Sequence, residues 1–215
     1  MDVYLTEEER VEALKKWWKA NSQSIIVGIA LGVAIIVGWN TWQNAKLHKA
    51  QEASDLFQQL TKAVEARQND PASKLAERIV QQHQGSLYAT YASLFQAKLK
   101  VDANDFAGAK NILSDLLAAE KDTLRQNVIR LRLARAQQGL KDYDGALKTL
   151  TSVDPKDVGE FEKLFDEQKG DVFLMLNRND DARTAYEKAK RLGLQSPILD
   201  MKLANLGATD TEASP

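Results

Sequence analysis

Between Ala20 and Ala45 the chain carries no Asp, Glu, Lys or Arg, although both flanks are densely charged. Within that run, Ile25 to Val37 holds nine Ile, Leu and Val residues, interrupted only by Gly28, Ala30, Gly32 and Ala34. A span from Gln23 to Trp42 is about 20 residues, which at about 1.5 Å rise per residue crosses a hydrocarbon core about 30 Å thick. Each of the branched residues favours insertion by about 0.3–0.6 kcal/mol, and no charge opposes them. The run therefore predicts one transmembrane helix over residues 23–43, with the lipid bilayer as its solvent. Trp17 and Trp18 precede it and Trp39 and Trp42 close it, so all four tryptophans are expected at the two membrane interfaces, where an amphipathic ring has both an apolar and a wet side.

A cleaved signal peptide would begin with a short, net-positive segment and end in a small-residue site. Here residues 1–19 carry four basic and five acidic groups, and no such site follows, so the segment is expected to be retained. Arg10, Lys15, Lys16 and Lys19 before the span outnumber Lys46 and Lys49 after it, which predicts a cytoplasmic N-terminus by the positive-inside bias. Gly28 and Gly32 form a G-x-x-x-G, and Ala34 with Gly38 repeat the small-residue spacing; these four are the candidates for packing against another membrane helix. Thr6 and Glu9 have capping-box spacing, with Val11, Leu14 and Trp18 on one side beyond them. Residues 1–22 are therefore expected to be a cytoplasmic segment containing an amphipathic helix.

From residue 44 the apolar positions follow a helical period and no alternating β-branched run appears, so the fold class is all-α. Asp70-Pro71 and Ser196-Pro197 are expected helix starts, Gly85 an expected end and Asp154-Pro155 an expected break between two helices, for about eight helices. An internal frame recurs. Ala97, Phe106, Ala109 and Leu113 match Ala134, Tyr143, Ala146 and Leu150, and again Gly170, Asn179, Ala182 and Tyr186, with spacings of 9, 3 and 4 in each. Small residues 12 apart let two helices cross closely, and the polar pairs Asn104-Asp105 and Lys141-Asp142 sit where the chain must reverse. The offsets of 37 and 36 residues are near those of a tetratricopeptide repeat. Residues 44–206 are thus expected to be a tetratricopeptide-like helical-repeat domain, with 46–84 as a degenerate capping pair and 207–215 as a disordered tail.

Against that frame the chemistry of catalysis is missing. There are no cysteines, and His48 and His83, the two histidines, lack a second ligand of their kind and are expected on the surface. No Walker loop, nucleophile elbow or dinucleotide fingerprint occurs, and Asp180-Asp181 and Glu160 with Glu162 fall at helix starts, where exposed amides satisfy them. Neither a cofactor nor a metal site nor an enzymatic activity is expected. Of the chain's 29 basic and 30 acidic residues, residues 46–215 hold 25 of each, which leaves no basic surplus for a nucleic acid. The first helices of each pair form the inner surface of such an array, so Tyr91, Leu94, Phe95, Lys98, Val128, Leu131 and Arg135 are the candidate protein-binding surface. Arg125, Arg130, Arg132 and Arg135 could together contact an acidic partner, but they are spaced around a helix, which suits a solvated face.

The string Val11 to Trp18 (V-E-A-L-K-K-W-W), the span ending in Gly38-Trp39, Arg130 to Arg135 (R-L-R-L-A-R), Ala146 to Leu150 and Asp200 to Leu206 occur in an order that resembles the YfgM family of bacterial inner-membrane proteins. The resemblance implies an ancillary subunit of the SecYEG translocon with a periplasmic repeat domain. It also implies association with the membrane-anchored chaperone PpiD, translocating polypeptides as further partners, and a part in passing translocated proteins to periplasmic chaperones. The other reading open to the sequence is a homo-oligomeric membrane organiser held together by the small-residue face.

Overall fold

A computed structural model describes residues 7–212, with side chains through Gly207; Thr6 of the expected capping box lies outside the described residues. Helix α1 (Glu7–Glu65) runs unbroken for 59 residues. The backbone therefore does not break at the expected divisions, 22/23 and 43/44. Helical hydrogen bonds are satisfied within the segment in lipid and in water alike, and no proline falls between Glu7 and Glu65 to remove one. The chain divides into compact units later than expected, between Glu52 and Ala53.

In the first unit an 18-residue window of mean hydropathy 2.0 is long and apolar enough to cross a membrane, and none of it is buried. Ile26, Val27, Ile29, Leu31, Val33, Ile35, Ile36 and Val37 are all more than half exposed, on every face of the helix.

The second unit is built from helix pairs. The end of α1 is followed by α2 (Asn69–Gln82), α3 (Leu87–Asp102), α4 (Phe106–Ala119), α5 (Thr123–Gly139), α6 (Tyr143–Thr151), a one-turn α7 (Pro155–Val158), a 3-10 turn (Gly159–Phe161), α8 (Glu162–Met175), α9 (Asn179–Arg191) and α10 (Pro197–Glu212). The start expected at Ser196-Pro197 holds, and the break expected at Asp154-Pro155 falls between α6 and α7, with the Asp154 side chain capping α7. The tail expected at 207–215 does not begin at 207, because α10 continues to Glu212.

Every position of the repeated frame does what its spacing predicts. Phe106, Tyr143 and Asn179 are each the first residue of a second helix. Ala97, Ala109, Leu113, Ala134, Ala146, Leu150, Ala182 and Tyr186 are at most 2% exposed, and Gly170 is buried with them. The frame also reaches back one pair further than the sequence suggests. Leu60, Asn69, Ala72 and Ala76 keep the same spacings, Leu60 is 2% and both alanines 0% exposed, and Asn69 starts α2. The pair at 46–84 is therefore a full repeat in geometry.

The turns share one device. Two residues before each second helix, Arg67, Asn104, Lys141 and Asn177 adopt positive φ of 55°–60°. The next residue's amide then reaches back five residues to a carbonyl, as in Asp105 N to Lys100 O at 2.8 Å and Asp142 N to Gln137 O at 2.9 Å. This Schellman closure satisfies carbonyls that would otherwise be orphaned at the helix end. Asp105 and Asp142 then cap the following helices by accepting from the amides of Gly108 and Gly145. A Cβ on either glycine would stand 2.5 Å from the capping carboxylate, which explains the glycine at that place.

Packing is strictly between neighbours. One apolar cluster joins the end of α1 to α2 and α3, a second α3 to α5, a third α5 to α8, and a fourth α9 to α10. Burying a side chain such as Ile79, Leu113, Ile129 or Leu199 stabilises by about 1.5–3 kcal/mol relative to exposure. Stability is accordingly distributed along the array.

Candidate protein-binding groove

The first helices of the first three pairs, namely the end of α1, α3 and α5, leave a groove between them. One part, about 450 Å³, is lined by Phe57, Leu60, Thr61, Val64, Glu65, Tyr91, Leu94, Phe95, Lys98 and Arg132. It continues into a second part of about 270 Å³, which shares Leu94, Lys98 and Arg132 and adds Ala97, Val101, Leu113 and Arg135. The floor is apolar because the residues that seal one helix pair onto the next have edges that surface here: Leu94 is 4% exposed while Tyr91 is 45% exposed. Phe57 braces the aromatic wall, its ring centroid 5.5 Å from Tyr88 and 6.1 Å from Tyr91.

Of the seven candidate surface residues, Tyr91, Leu94, Phe95 and Lys98 come together in the larger part and Arg135 lines the smaller. Val128 and Leu131 do not line the groove; they pack against the second and third apolar clusters. Phe57, Leu60 and Val64 line the groove unforeseen, and Arg132, one of the four arginines singled out in the sequence, lines both parts. A signal for them existed, since a shift of 37 places Phe57 on Leu94, Val64 on Val101 and Phe95 on Arg132.

The four arginines do not form one solvated face. Arg125 donates from Nε and Nη2 to the two Glu120 oxygens at 2.8 and 3.0 Å. Glu120 also accepts from the amides of Lys121 and Asp122 and from the Thr90 hydroxyl. Those bonds, led by Arg125 and opposed by burial, hold the Glu120 carboxyl at a pKa of about 2. With every oxygen taken, the Glu120 side of the neighbouring 530 Å³ cavity is structural. Arg130 reaches Asn127 Oδ1 at 3.4 Å. Arg132 finds only the Leu94 carbonyl, at 3.5 Å, among the described residues. Burial first, and then the like charge of Arg135, lower its pKa, although a guanidinium stays protonated. Lys98 is paired with Asp102.

His48 is exposed as expected, whereas His83 is not: it caps the end of α2 at 8% exposure, with Nε2 buried and without a hydrogen-bond partner. Among the described residues no cluster of three or more His, Asp or Glu side chains could hold a metal ion. In the first unit, Gly28, Gly32 and Gly38 have nothing within 4 Å of where a Cβ would stand, and Ala34 is exposed, so the small-residue face is bare. Trp17, Trp18, Trp39 and Trp42 are each about half exposed, Trp39 and Trp42 lie 5.2 Å apart, and the Lys46 ammonium sits 3.8 Å over the Trp42 ring.

Stacked helix pairs with an open groove between the first helices define a repeat scaffold of the kind that binds other proteins, and residues 15–208 match the family described as tetratricopeptide repeat-like domain. Among solved structures, the fold is shared with the Pseudomonas aeruginosa protein pilF at TM-score 0.63, with 16% identity over 76% of this chain and 71% of that one. It is also shared with the APC/C hetero-tetramer Cut9–Hcn1 at TM-score 0.58, with 22% identity over 70% of this chain and 28% of that one. The chain belongs to the family of ancillary SecYEG translocon subunits. It is 32% identical to the Escherichia coli (strain K12) member over 96% of this chain and 99% of that protein. Identity to the Haemophilus influenzae member is 31%, over 94% and 98%.

Proposed function

We propose that the chain is a membrane-tethered adaptor of the SecYEG translocon: α1 crosses the inner membrane with the N-terminus in the cytoplasm, and the repeat unit works in the periplasm. The observation that carries this reading is one polypeptide holding both an unburied apolar helix and a groove of apolar floor and cationic rim, in a family named for the translocon. Tethering raises the local concentration of a weak binder, so the groove can engage partners at modest intrinsic affinity. Its partners are the translocon itself, the chaperone PpiD and polypeptides emerging from the membrane, which it helps to pass to periplasmic chaperones. In this reading the role is binding and not catalysis.

Gly28, Gly32, Ala34 and Gly38 pack against a neighbouring membrane helix in this reading, and the tryptophans fix the depth of α1. Two measurements test it. Protease added to intact spheroplasts should digest the repeat unit; protection would reverse the topology. Extraction in mild detergent should co-purify translocon subunits and PpiD; recovery of neither would remove the adaptor role. The homo-oligomeric organiser predicts instead that Gly28→Leu with Gly32→Leu abolishes self-association of an otherwise oligomeric chain.

A further inference from the structure

The groove is short of negative charge in a chain that is not. The protein's formal net charge is −1, yet the two connected parts of the groove present Lys98, Arg132 and Arg135 against a single lining carboxylate, Glu65. Asp102 engages Lys98 from outside the lining. No carboxylate lies within ion-pair distance of Arg132 or Arg135 among the described residues. Several cations elsewhere in the unit are held by carboxylates. Arg125 is taken by Glu120 and Asp122, Lys188 by Glu162 and Asp166, and Lys202 by Glu167 and Asp171. In the groove two guanidiniums stand three residues apart on one helix with no carboxylate beside them.

Arg132 makes the point most clearly. It stands where the cavity narrows from the aromatic wall of Phe57, Tyr91 and Phe95 toward Val101 and Leu113, and it lines both parts. Of its five donors one meets a carbonyl, at the limit of a hydrogen bond. A guanidinium with free donors gains most from a planar carboxylate that it can grip with two parallel bonds.

We infer that the groove takes a protein segment in which a large apolar side chain is flanked by Asp or Glu. The apolar side chain lies on Phe57, Tyr91, Leu94 and Phe95, and the carboxylate bridges Arg132 and Arg135. The inference deepens the adaptor reading by naming the chemistry of what is held, and it rests on that reading for the groove's purpose. Recognition is by this pattern alone, so many sequences of mixed apolar and acidic character fit, while apolar-basic segments are turned away by two unpaired like charges.

The test uses the full chain in detergent micelles and three fluorescein-labelled peptides of equal length: one of alternating Leu/Phe and Glu, one with Lys for each Glu, and one with Ser for each Leu and Phe. Fluorescence polarisation should show the first binding about 10- to 100-fold more tightly than the second, the range that a charge-assisted hydrogen bond supports. The third should bind at least tenfold more weakly than the first. Arg132→Glu with Arg135→Glu should invert the preference between the first two, with circular dichroism confirming that the helices are kept. Equal binding of the Glu and Lys peptides by the unaltered protein, which needs no variant to fold, would overturn the inference. Co-purification with the translocon from the same membranes is scored separately: translocon recovered without charge preference sinks the groove chemistry and leaves the adaptor, and the converse leaves the chemistry and removes its assignment to the translocon.

Discussion

The third and fourth pairs close the same helix crossing with different divisions of volume. Where α5 meets α6 the frame is Ala134 against Leu150, each at most 2% exposed. Where α8 meets α9 it is Gly170 against Tyr186, and a Cβ on Gly170 would stand 2.4 Å from the tyrosine ring. The larger ring is admitted because the facing residue gives up its side chain altogether. Tyrosine also brings a hydroxyl into the core, and burial above all, then the bond it donates to Asp171 Oδ1 at 2.7 Å, keep it protonated with a raised pKa. Asp171 accepts in turn from Lys202 of α10 at 2.6 Å. The fourth crossing is thereby tied to the helix that ends the array, a connection that an Ala–Leu pair cannot make. What the repeat preserves is a spacing of volumes, and the residues that supply the volumes are free to change together.

The comparison can be broken most severely at the ring. Tyr186→Ala should destabilise the protein by about 3–5 kcal/mol, the cost of emptying a fully buried aromatic site, in denaturant titrations of the purified chain. Gly170→Ala should cost about 1–3 kcal/mol by overpacking against that ring. Adding Tyr186→Leu to it rebuilds the pair used in α5 and α6, so the double variant should recover most of that loss; additive losses in the double-mutant cycle would mean that the two positions do not share one volume.

A smaller effect separates the joints by their response to acid. Glu120, with its side chain 7% exposed, ties α4 to α5 through Arg125, and its pKa of about 2 lies below the ordinary glutamate value of about 4.3. A depressed carboxyl contributes stability above its unfolded pKa and loses it as pH falls through the folded one. Glu120→Gln should therefore lower stability at neutral pH and flatten its decline between about pH 4.5 and about 2, as read from unfolding midpoints against pH. The smallest expected change is at the turn before α6. Lys141 holds a φ of 60°, and Lys141→Gly should stabilise by about 0.5–1 kcal/mol, because glycine meets no Cβ penalty there.

How much of this was legible in sequence follows the same logic. The spacing 9, 3, 4 located three crossings because small residues and turn pairs stood out at Ala97, Ala134 and Gly170. The first crossing escaped because Leu60 holds the place of a small residue and Ala76 the place of a large one; again the volumes are exchanged, and only geometry reveals the equivalence. The continuity of α1 past residue 43 was hidden for a different reason. Charge marks where a side chain's surroundings change, and it says nothing about whether the backbone hydrogen bonds stop. In the groove, the aromatic and apolar residues of α3 were found from their place on a first helix. Arg132 is exposed, as the spacing of the arginines suggested, but that no carboxylate stands beside it is a missing neighbour, which a linear sequence does not display.

The central claim is that the groove between the first helices is where this tethered protein meets its partners at the translocon. A photo-crosslinking amino acid placed at Tyr91, in cells with native membranes, tests it most directly, with the same probe at Met175, 57% exposed on α8, as the comparison. The account predicts adducts with translocon subunits, PpiD or emerging polypeptides from Tyr91 and far fewer from Met175. Equal yields at the two positions, or partners captured from Met175 alone, would contradict it.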